Sequence, residues 1–267
     1  MSGQIYGIVG HPLGHTLSPA LHNWGFSEKG LTDKIYCSWP VEPKKLSEFM
    51  TAFQLLNIAG ASVTIPHKED IIPYLDELTP AARQIGAVNT LLRQRSKIIG
   101  DNTDVRGFCA PLAASKNSLD SALVLGAGGA SRAIVHGLKS LNIRTIICNR
   151  SRKRAESMAR EMCIETVAWE KRHAVKADLL VNTTPLGMHG PTADMSPWAE
   201  NLGRFKMVYD IIYNPVYTPL LQQATRENIT IVTGLEMFVS QGIEQFTLWT
   251  GQTLEYTPTV TYLKKKL

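Results

Sequence analysis

Cysteine is scarce: four residues in 267, at Cys37, Cys109, Cys148 and Cys163. They form no C-x-x-C pair and no metal-ligand spacing, so neither a disulfide framework nor a metal site is expected, and a reducing, cytoplasmic setting is. Long hydrophobic runs are missing too. No stretch approaches the ~20 apolar residues of a membrane span, and Met1 to Gly10 lacks the basic-then-apolar pattern of a signal peptide. Charge of one sign is thin: 28 Lys and Arg against 23 Asp and Glu leave a net +5. The basic clusters at Arg150–Arg154 and Lys264–Lys266 have no aromatic residues interleaved, which argues against a nucleic-acid surface and for an anionic small molecule. The terminal lysines read as a solvated tail. What is present, 44% apolar and 19% charged residues, is the composition of a globular chain with room for two cores.

Apolar runs at Ile5–Val9, 35–39 and Ile58–Val63 alternate with helical stretches at Ser18–Lys29 and Pro43–Leu56. Ser18 reads as an N-cap with Pro19 after it. Strands alternating with helices imply a mostly parallel sheet, whose ligands collect beyond the carboxyl ends of the strands. Thr16, Ser18, Thr64 and Lys68 would all come from loops at that edge. Within Ala61-S-V-T-I-P-H-K68, Pro66 is expected to open a helix, since its fixed φ and missing N–H suit a first helical position. Lys68 would then sit in a first turn, where a cation is disfavoured by roughly 0.3–1 kcal/mol. A solvated lysine and a site lysine are both open on this pattern alone. Asn89, opening a strand at Gly86-A-V-N-T90, reads as a turn residue or a site residue. In Gly100-D-N-T-D104, Asp104 is either the cap of a helix running through Ala114 or a functional carboxylate.

The second half opens with an apolar strand, Ala122 to Gly126, followed by Gly126-A-G-G-A-S131 at the start of a helix. Strand, G-x-G and helix in that order let backbone approach a pyrophosphate at a helix N-terminus. Ser131 stands at the third small position, departing from G-x-x-G. The next strand, Arg144–Cys148, lacks the acid that would accept an adenosine 2′-hydroxyl. It ends instead in Asn149-R-S-R-K-R154, and guanidinium groups there match a 2′-phosphate. NADP is therefore favoured over NAD. Further strands are expected at Ala177–Val181, Met207–Ile212 and Ile229–Val232, with helices near Thr218–Glu227 and Leu235–Trp249.

The ordered stretches Gly10-H-P-L-G-H-T-L-S-P19, Val63-T-I-P-H-K68, Gly86-A-V-N-T90, Gly100-D-N-T-D104, Gly126-A-G-G-A-S131, Asn149-R150, Asn182-T-T-P-L-G-M188, Tyr209-D-I-I-Y-N-P215 and Gly234-L-E-M-F-V-S-Q241 make the chain similar to the shikimate dehydrogenase family over nearly its whole length. The resemblance implies an α/β protein of two domains. A mostly parallel α/β sandwich for substrate would span 1–104 plus 236–267, its C-terminal helices returning to it. A Rossmann-type NADP-binding domain would span 105–235. Lys68 and Asp104 match the family's catalytic pair. Thr16, Ser18, Thr64, Asn89, Asp104, Tyr213 and Gln241 match substrate contacts. Gly126, Ala127, Gly128, Gly129, Ala130, Asn149, Arg150, Arg154, Thr183, Ile211 and Gly234 match the cofactor side. No metal is implied, nor any nucleic-acid or membrane partner, and both a monomer and a homodimer are compatible.

The implied activity is reversible NADPH-dependent reduction of 3-dehydroshikimate to shikimate. Three positions depart from the family pattern: Thr16 for serine, Ser62 for asparagine, and His67, expected to point outward, for an apolar residue. They leave preference between shikimate and quinate open. The alternatives are a quinate/shikimate dehydrogenase with relaxed substrate or cofactor preference, against which Asn149-Arg150 argues, and a non-catalytic sensor of NADP and a ring acid, which the presence of both Lys68 and Asp104 disfavours.

Overall fold

Val, Ile and Leu dominate the short runs that become central strands, and the turn residues between them set the helix ends. The computed structural model describes residues 3–14, 16–113 and 118–267. His15 of the Gly10–Pro19 stretch and Ala114, the expected last residue of a helix, lie outside the described residues. In chain order, β1 (Gln4–Gly10), α1 (Ser18–Glu28), β2 (Lys34–Pro40), α2 (Leu46–Leu55), β3 (Gly60–Val63), β4 (Glu77–Leu78), α3 (Pro80–Ile85), β5 (Thr90–Gln94) and β6 (Lys97–Asp101) form the first part. Then follow α4 (Asp104–Ala113), β7 (Ser121–Leu125), α5 (Gly129–Ser140), β8 (Arg144–Cys148), α6 (Arg152–Met162), β9 (Glu165–Thr166), β10 (Leu179–Asn182), β11 (Met207–Asp210), α7 (Pro219–Arg226), β12 (Thr230–Val232), α8 (Gly234–Thr250) and α9 (Tyr256–Lys264). The chain divides into two compact units, Met1–Asp104 with Val239–Leu267, and Val105–Phe238. One division falls at the start of α4 and the other inside α8.

The sheet of the first unit runs in the order β2-β1-β3-β5-β6-β4. β1 pairs in parallel with β2 and β3, and β4 with β6, while β5 runs antiparallel to both of its neighbours. Alternate residues of β3 face opposite sides. Ala61 and Val63 enter a core with Val9, Met50, Phe53, Ile71 and Leu91. Gly60 lies against Trp249 of α8, and Ser62 bonds to that helix through Gln245. The second unit carries a wholly parallel sheet, β12-β11-β10-β7-β8-β9. That is the Rossmann order, whose direction reverses between β7 and β10 and leaves a crevice at their carboxyl ends. Apolar clusters around Ile134 and Tyr209 on one face, and around Trp198 and Leu221 on the other, bury its strands on both sides.

Three local expectations are corrected. Pro66 does not open a helix: residues 66–71 run as turns, because the Lys68 carbonyl accepts the Val88 N–H at 2.8 Å instead of one further along its own segment. Ser18 is the first residue of α1 and Leu17 its cap position; the Thr16 hydroxyl accepts the Ser18 N–H at 3.3 Å. His67 is buried, with Nε2 2.6 Å from the Val41 carbonyl, so it does not point outward. Lys264–Lys266 are exposed, as expected of a solvated end, while Tyr262 of α9 before them stacks on Trp24 at 5.0 Å.

Candidate active site

Every central group of the first unit's site is placed by a strand end. β3 delivers Thr64 and, through the turns after it, Lys68; β5 begins immediately after Asn89; β6 ends just before Asn102 and Thr103. Asp104 is the first residue of α4, and its capping role belongs to a neighbour: Asn102 Oδ1 accepts the Asp104 N–H at 3.0 Å. That leaves the Asp104 carboxylate for side chains. Lys68 Nζ donates to its Oδ2, and Asn89 Nδ2 donates to its Oδ1 at 2.8 Å. The Lys68 side chain is 14% exposed and that of Asp104 6%. This is no solvated surface pair; opposite charges at this depth attract well beyond the ~1 kcal/mol of bulk water.

Asn89 is the hub. Its Oδ1 accepts the Thr103 N–H at 2.8 Å and the Thr90 hydroxyl at 2.7 Å, and its Nδ2 also donates to Thr103 Oγ1 at 2.9 Å. Gln241, on α8, closes the group with its Oε1 3.5 Å from Asn89 Nδ2 and from Thr103 Oγ1. The structure thus brings Lys68, Asn89, Asp104 and Gln241 together by hydrogen bonds. Thr16 and Ser18, 3.3 Å apart at their hydroxyls, stand after β1, and Thr64 stands after β3. These loops are stitched by His11 N–H to Ile65 O at 2.8 Å. Tyr213 belongs to the second unit, where its ring meets Phe238 at 4.5 Å.

In the second unit the glycine turn follows β7. Gly126 has φ +117°, and a Cβ there would lie 2.3 Å from Thr183 Oγ1, so both conformation and space require glycine. A Cβ on Gly128 would meet nothing within 4 Å, which leaves the backbone open on that side. Ser131 is buried; its hydroxyl accepts the Gly128 N–H at 3.1 Å and lies 2.6 Å from Thr183 Oγ1. Thr183 gives its own proton to Leu125 O at 2.7 Å, so Ser131 is the donor of that pair. Ala127 is buried, and Gly129 and Ala130 begin α5, whose first N–H groups have no partner within the helix. Beyond β8, Asn149 Nδ2 caps toward Ser151 O at 3.1 Å while Arg150 and Arg154 are exposed. Ile211 and Gly234 are adjacent: a Cβ on Gly234 would lie 2.4 Å from the Ile211 carbonyl. A backbone cradle that glycine alone permits, with two arginines after the next strand, fits a dinucleotide carrying an extra phosphate.

The family model for the shikimate dehydrogenase substrate binding domain matches residues 8–91, and that for the shikimate 5′-dehydrogenase C-terminal domain matches residues 234–258. A shikimate dehydrogenase (NADP(+)) from Maridesulfovibrio salexigens is 46% identical over 266 residues, covering 99% of this chain and 97% of that protein. Among solved structures, a shikimate dehydrogenase in complex with NADP+ superposes with a TM-score of 0.90 at 33% identity, covering 99% of this chain and 96% of that one. A shikimate 5-dehydrogenase from Thermus thermophilus, in complex with NADP(H) and shikimate, gives 0.88 at 33% identity, covering 99% and 100%. The chain belongs to the shikimate dehydrogenase family.

Membership in that family leaves two features of the sites that sequence reasoning missed. Thr103 was passed over inside its motif, although it is fully buried and bonded to Asn89; its signal was the asparagine-threonine-aspartate run itself. Asp210 lies buried at the end of β11, where it accepts from Asn182 Nδ2 twice at 3.1 Å, from Thr218 Oγ1 at 2.7 Å and from Ile212 N–H at 3.0 Å. Burial pushes its carboxyl up to about 6 against the pull of those donors. It ties the loop after β10 to the loop carrying Ile211.

Proposed function

We propose that the protein is an NADP-dependent oxidoreductase that interconverts 3-dehydroshikimate and shikimate in the biosynthesis of aromatic amino acids. The observation that carries this reading is the Lys68–Asp104–Asn89 cluster at the strand ends of the first unit, in a chain whose relatives are named for that reaction. Bound NADPH supplies the hydride. The first unit binds substrate. Lys68 donates to the ketone oxygen as negative charge develops there and provides its proton, a stabilisation worth several kcal/mol away from water. Asp104 holds the Lys68 ammonium in place and accepts from a ring hydroxyl. Thr16, Ser18, Thr64, Asn89 and Gln241 supply donors and acceptors suited to a polyhydroxylated acid, and an analogue lacking one hydroxyl leaves a buried partner unpaired. In the second unit the residues 126–130 take the pyrophosphate, Asn149, Arg150 and Arg154 the adenosine end, and Thr183, Ile211 and Gly234 the nicotinamide end.

The four cysteines are unpaired and no described helix is long and apolar enough to cross a membrane, which supports a cytoplasmic assignment. The test is an absorbance assay at the reduced-nicotinamide band, with shikimate and quinate each offered NADP+ and NAD+. Shikimate with NADP+ is expected to give the largest kcat/KM. No turnover with any pair would reject an enzyme, and an equal or faster rate with quinate or NAD+ would favour the relaxed-preference alternative.

A further inference from the structure

Gln245 lies one helical turn beyond Gln241 on α8, on the same face, and it is only 1% exposed. A buried carboxamide is costly unless its donors and acceptor are matched. Here they are. Its Nε2 donates to the Asn89 carbonyl at 3.0 Å and to Thr90 Oγ1 at 2.9 Å. Its Oε1 accepts the Ser62 hydroxyl at 2.7 Å, and Ser62 in turn accepts the Tyr36 hydroxyl at 2.6 Å. Thr90 passes its own proton to Asn89 Oδ1 at 2.7 Å.

The donors therefore all point one way. Tyr36 gives to Ser62 and Ser62 to Gln245; Gln245 gives to Thr90, Thr90 to Asn89, and Asn89 to Asp104. Turning the Gln245 amide over would set its oxygen against the Asn89 carbonyl and the Thr90 oxygen. Turning the Asn89 amide over would set its NH2 against the Thr103 N–H and its oxygen against the Asp104 carboxylate. Each amide has one orientation that satisfies its neighbours, and a chain with one sense of donation reinforces each member.

We propose that Gln245 is a positioning residue for the reaction: through Thr90 and the Asn89 backbone it fixes the orientation of the Asn89 amide that holds Asp104 against Lys68. The inference rests on the reading of Lys68 and Asp104 as the catalytic pair. It also assigns Ser62 and Tyr36 to the support of the site rather than to contact with substrate.

The experiment is steady-state kinetics of Gln245→Leu, Thr90→Val and Gln245→Glu beside Lys68→Ala, with NADPH affinity read by fluorescence titration. Gln245→Leu and Thr90→Val are expected to lose about ten- to a hundredfold in kcat, the scale of a misplaced catalytic group, at unchanged NADPH affinity. Gln245→Glu carries the distinguishing readout. A carboxylate there faces two acceptors, whereas the protonated acid can donate to Thr90 as glutamine does. Its kcat relative to wild type should therefore rise as pH falls, a dependence that Gln245→Leu lacks. Near-wild-type kcat in folded Gln245→Leu, or in Thr90→Val should the leucine variant not fold, overturns the proposal, as does a Glu variant whose relative rate is flat with pH. If Lys68→Ala itself retains turnover, the catalytic pair has failed instead, and the two failures are told apart.

Discussion

The two units hold their candidate ligand-binding groups in opposite ways. In the first, Asn89, Thr103 and Asp104 are buried, Lys68 is half-buried, and all four are already bonded within the group. In the second, Arg150 and Arg154 stand exposed and the space beside Gly128 is open. A site that must orient a small ring and steady a developing charge profits from groups fixed before substrate arrives, because no reorganisation is left for the reaction step. A site that grips a long, charged cofactor by its phosphates can carry its cations at the surface, within reach of those phosphates. Substitutions in the first unit should therefore act on turnover, and those in the second on cofactor affinity.

The largest effect expected is at Lys68. Lys68→Ala removes the proposed donor to the reacting oxygen and leaves the Asp104 carboxylate buried with Asn89 as its remaining side-chain donor among the described residues. Loss of one such donor or acid costs on the order of 10² to 10⁴ in rate, so kcat should fall about a thousandfold while NADPH affinity stays within about twofold. Breaking a buried ion pair also destabilises, by roughly 3–5 kcal/mol when burial is complete; with 14% of the lysine exposed, thermal denaturation should report the lower end or less. A variant that turns over normally would dissolve the contrast between the units.

Next is Gly126→Ala. At φ +117°, with Thr183 Oγ1 2.3 Å from the new methyl, the turn must absorb ~1–3 kcal/mol of backbone strain and displace the hydroxyl that joins Ser131 to Leu125 O. NADPH binding measured by calorimetry should weaken at least tenfold. Shikimate, titrated alone and followed by protein fluorescence, should bind as before. Equal damage to both ligands would mean that the glycine turn serves the whole fold rather than the cofactor.

Arg150→Ala comes third and is more selective. A charge-assisted bond to phosphate contributes ~1.5–3 kcal/mol when sheltered and less at an exposed position, so a KM for NADPH about tenfold higher is expected. The KM for NADH should hardly move. Parallel losses with both cofactors would refute a role in reading the 2′-phosphate.

How much of this was legible in the chain depends on range. The strand Arg144–Cys148, the glycine turn and the basic strand end were readable because each is a local pattern of a few residues. Two-residue strands such as Glu77–Leu78 carry no period to detect. Lys68 was placed in a helix by a local rule for proline, and a distant bond from Val88 prevailed. Asp104 reads locally as either a cap or a functional carboxylate, and only the folded chain shows Asn102 Oδ1 accepting its N–H while its carboxylate meets Lys68 and Asn89. Gln245 was invisible: 183 residues separate it from Ser62, and in sequence it is one more polar residue on an amphipathic helix.

A last contrast sets the two units against each other through pH. His22 of the first unit is fully buried among Tyr36, Phe246 and Trp249, at ring distances of 4.4, 6.4 and 4.9 Å. Burial drives its imidazole down to about 3, against a smaller opposing contribution from Gln245. In the unfolded chain it protonates near 6.5. As pH falls from 6.5 toward 3 the unfolded chain takes up a proton that the native state refuses, so stability is lost in acid. Asp210 of the second unit does the reverse. Its native carboxyl, pushed up to about 6 by burial, holds a proton that the unfolded chain has released, so stability present in acid is lost as pH rises through 6. Between pH 7.5 and 5 linkage puts the histidine effect on the order of 2 kcal/mol and the aspartate effect on the order of 1 kcal/mol, with opposite signs. In urea denaturation of His22→Phe, the stability of wild type minus variant should shrink as pH is lowered. For Asp210→Asn the same difference should grow. A constant penalty from repacking or from a mismatched donor shifts either line without changing its slope. Slopes of the same sign would mean that one of these buried groups meets a partner or a solvent path that its surroundings do not reveal.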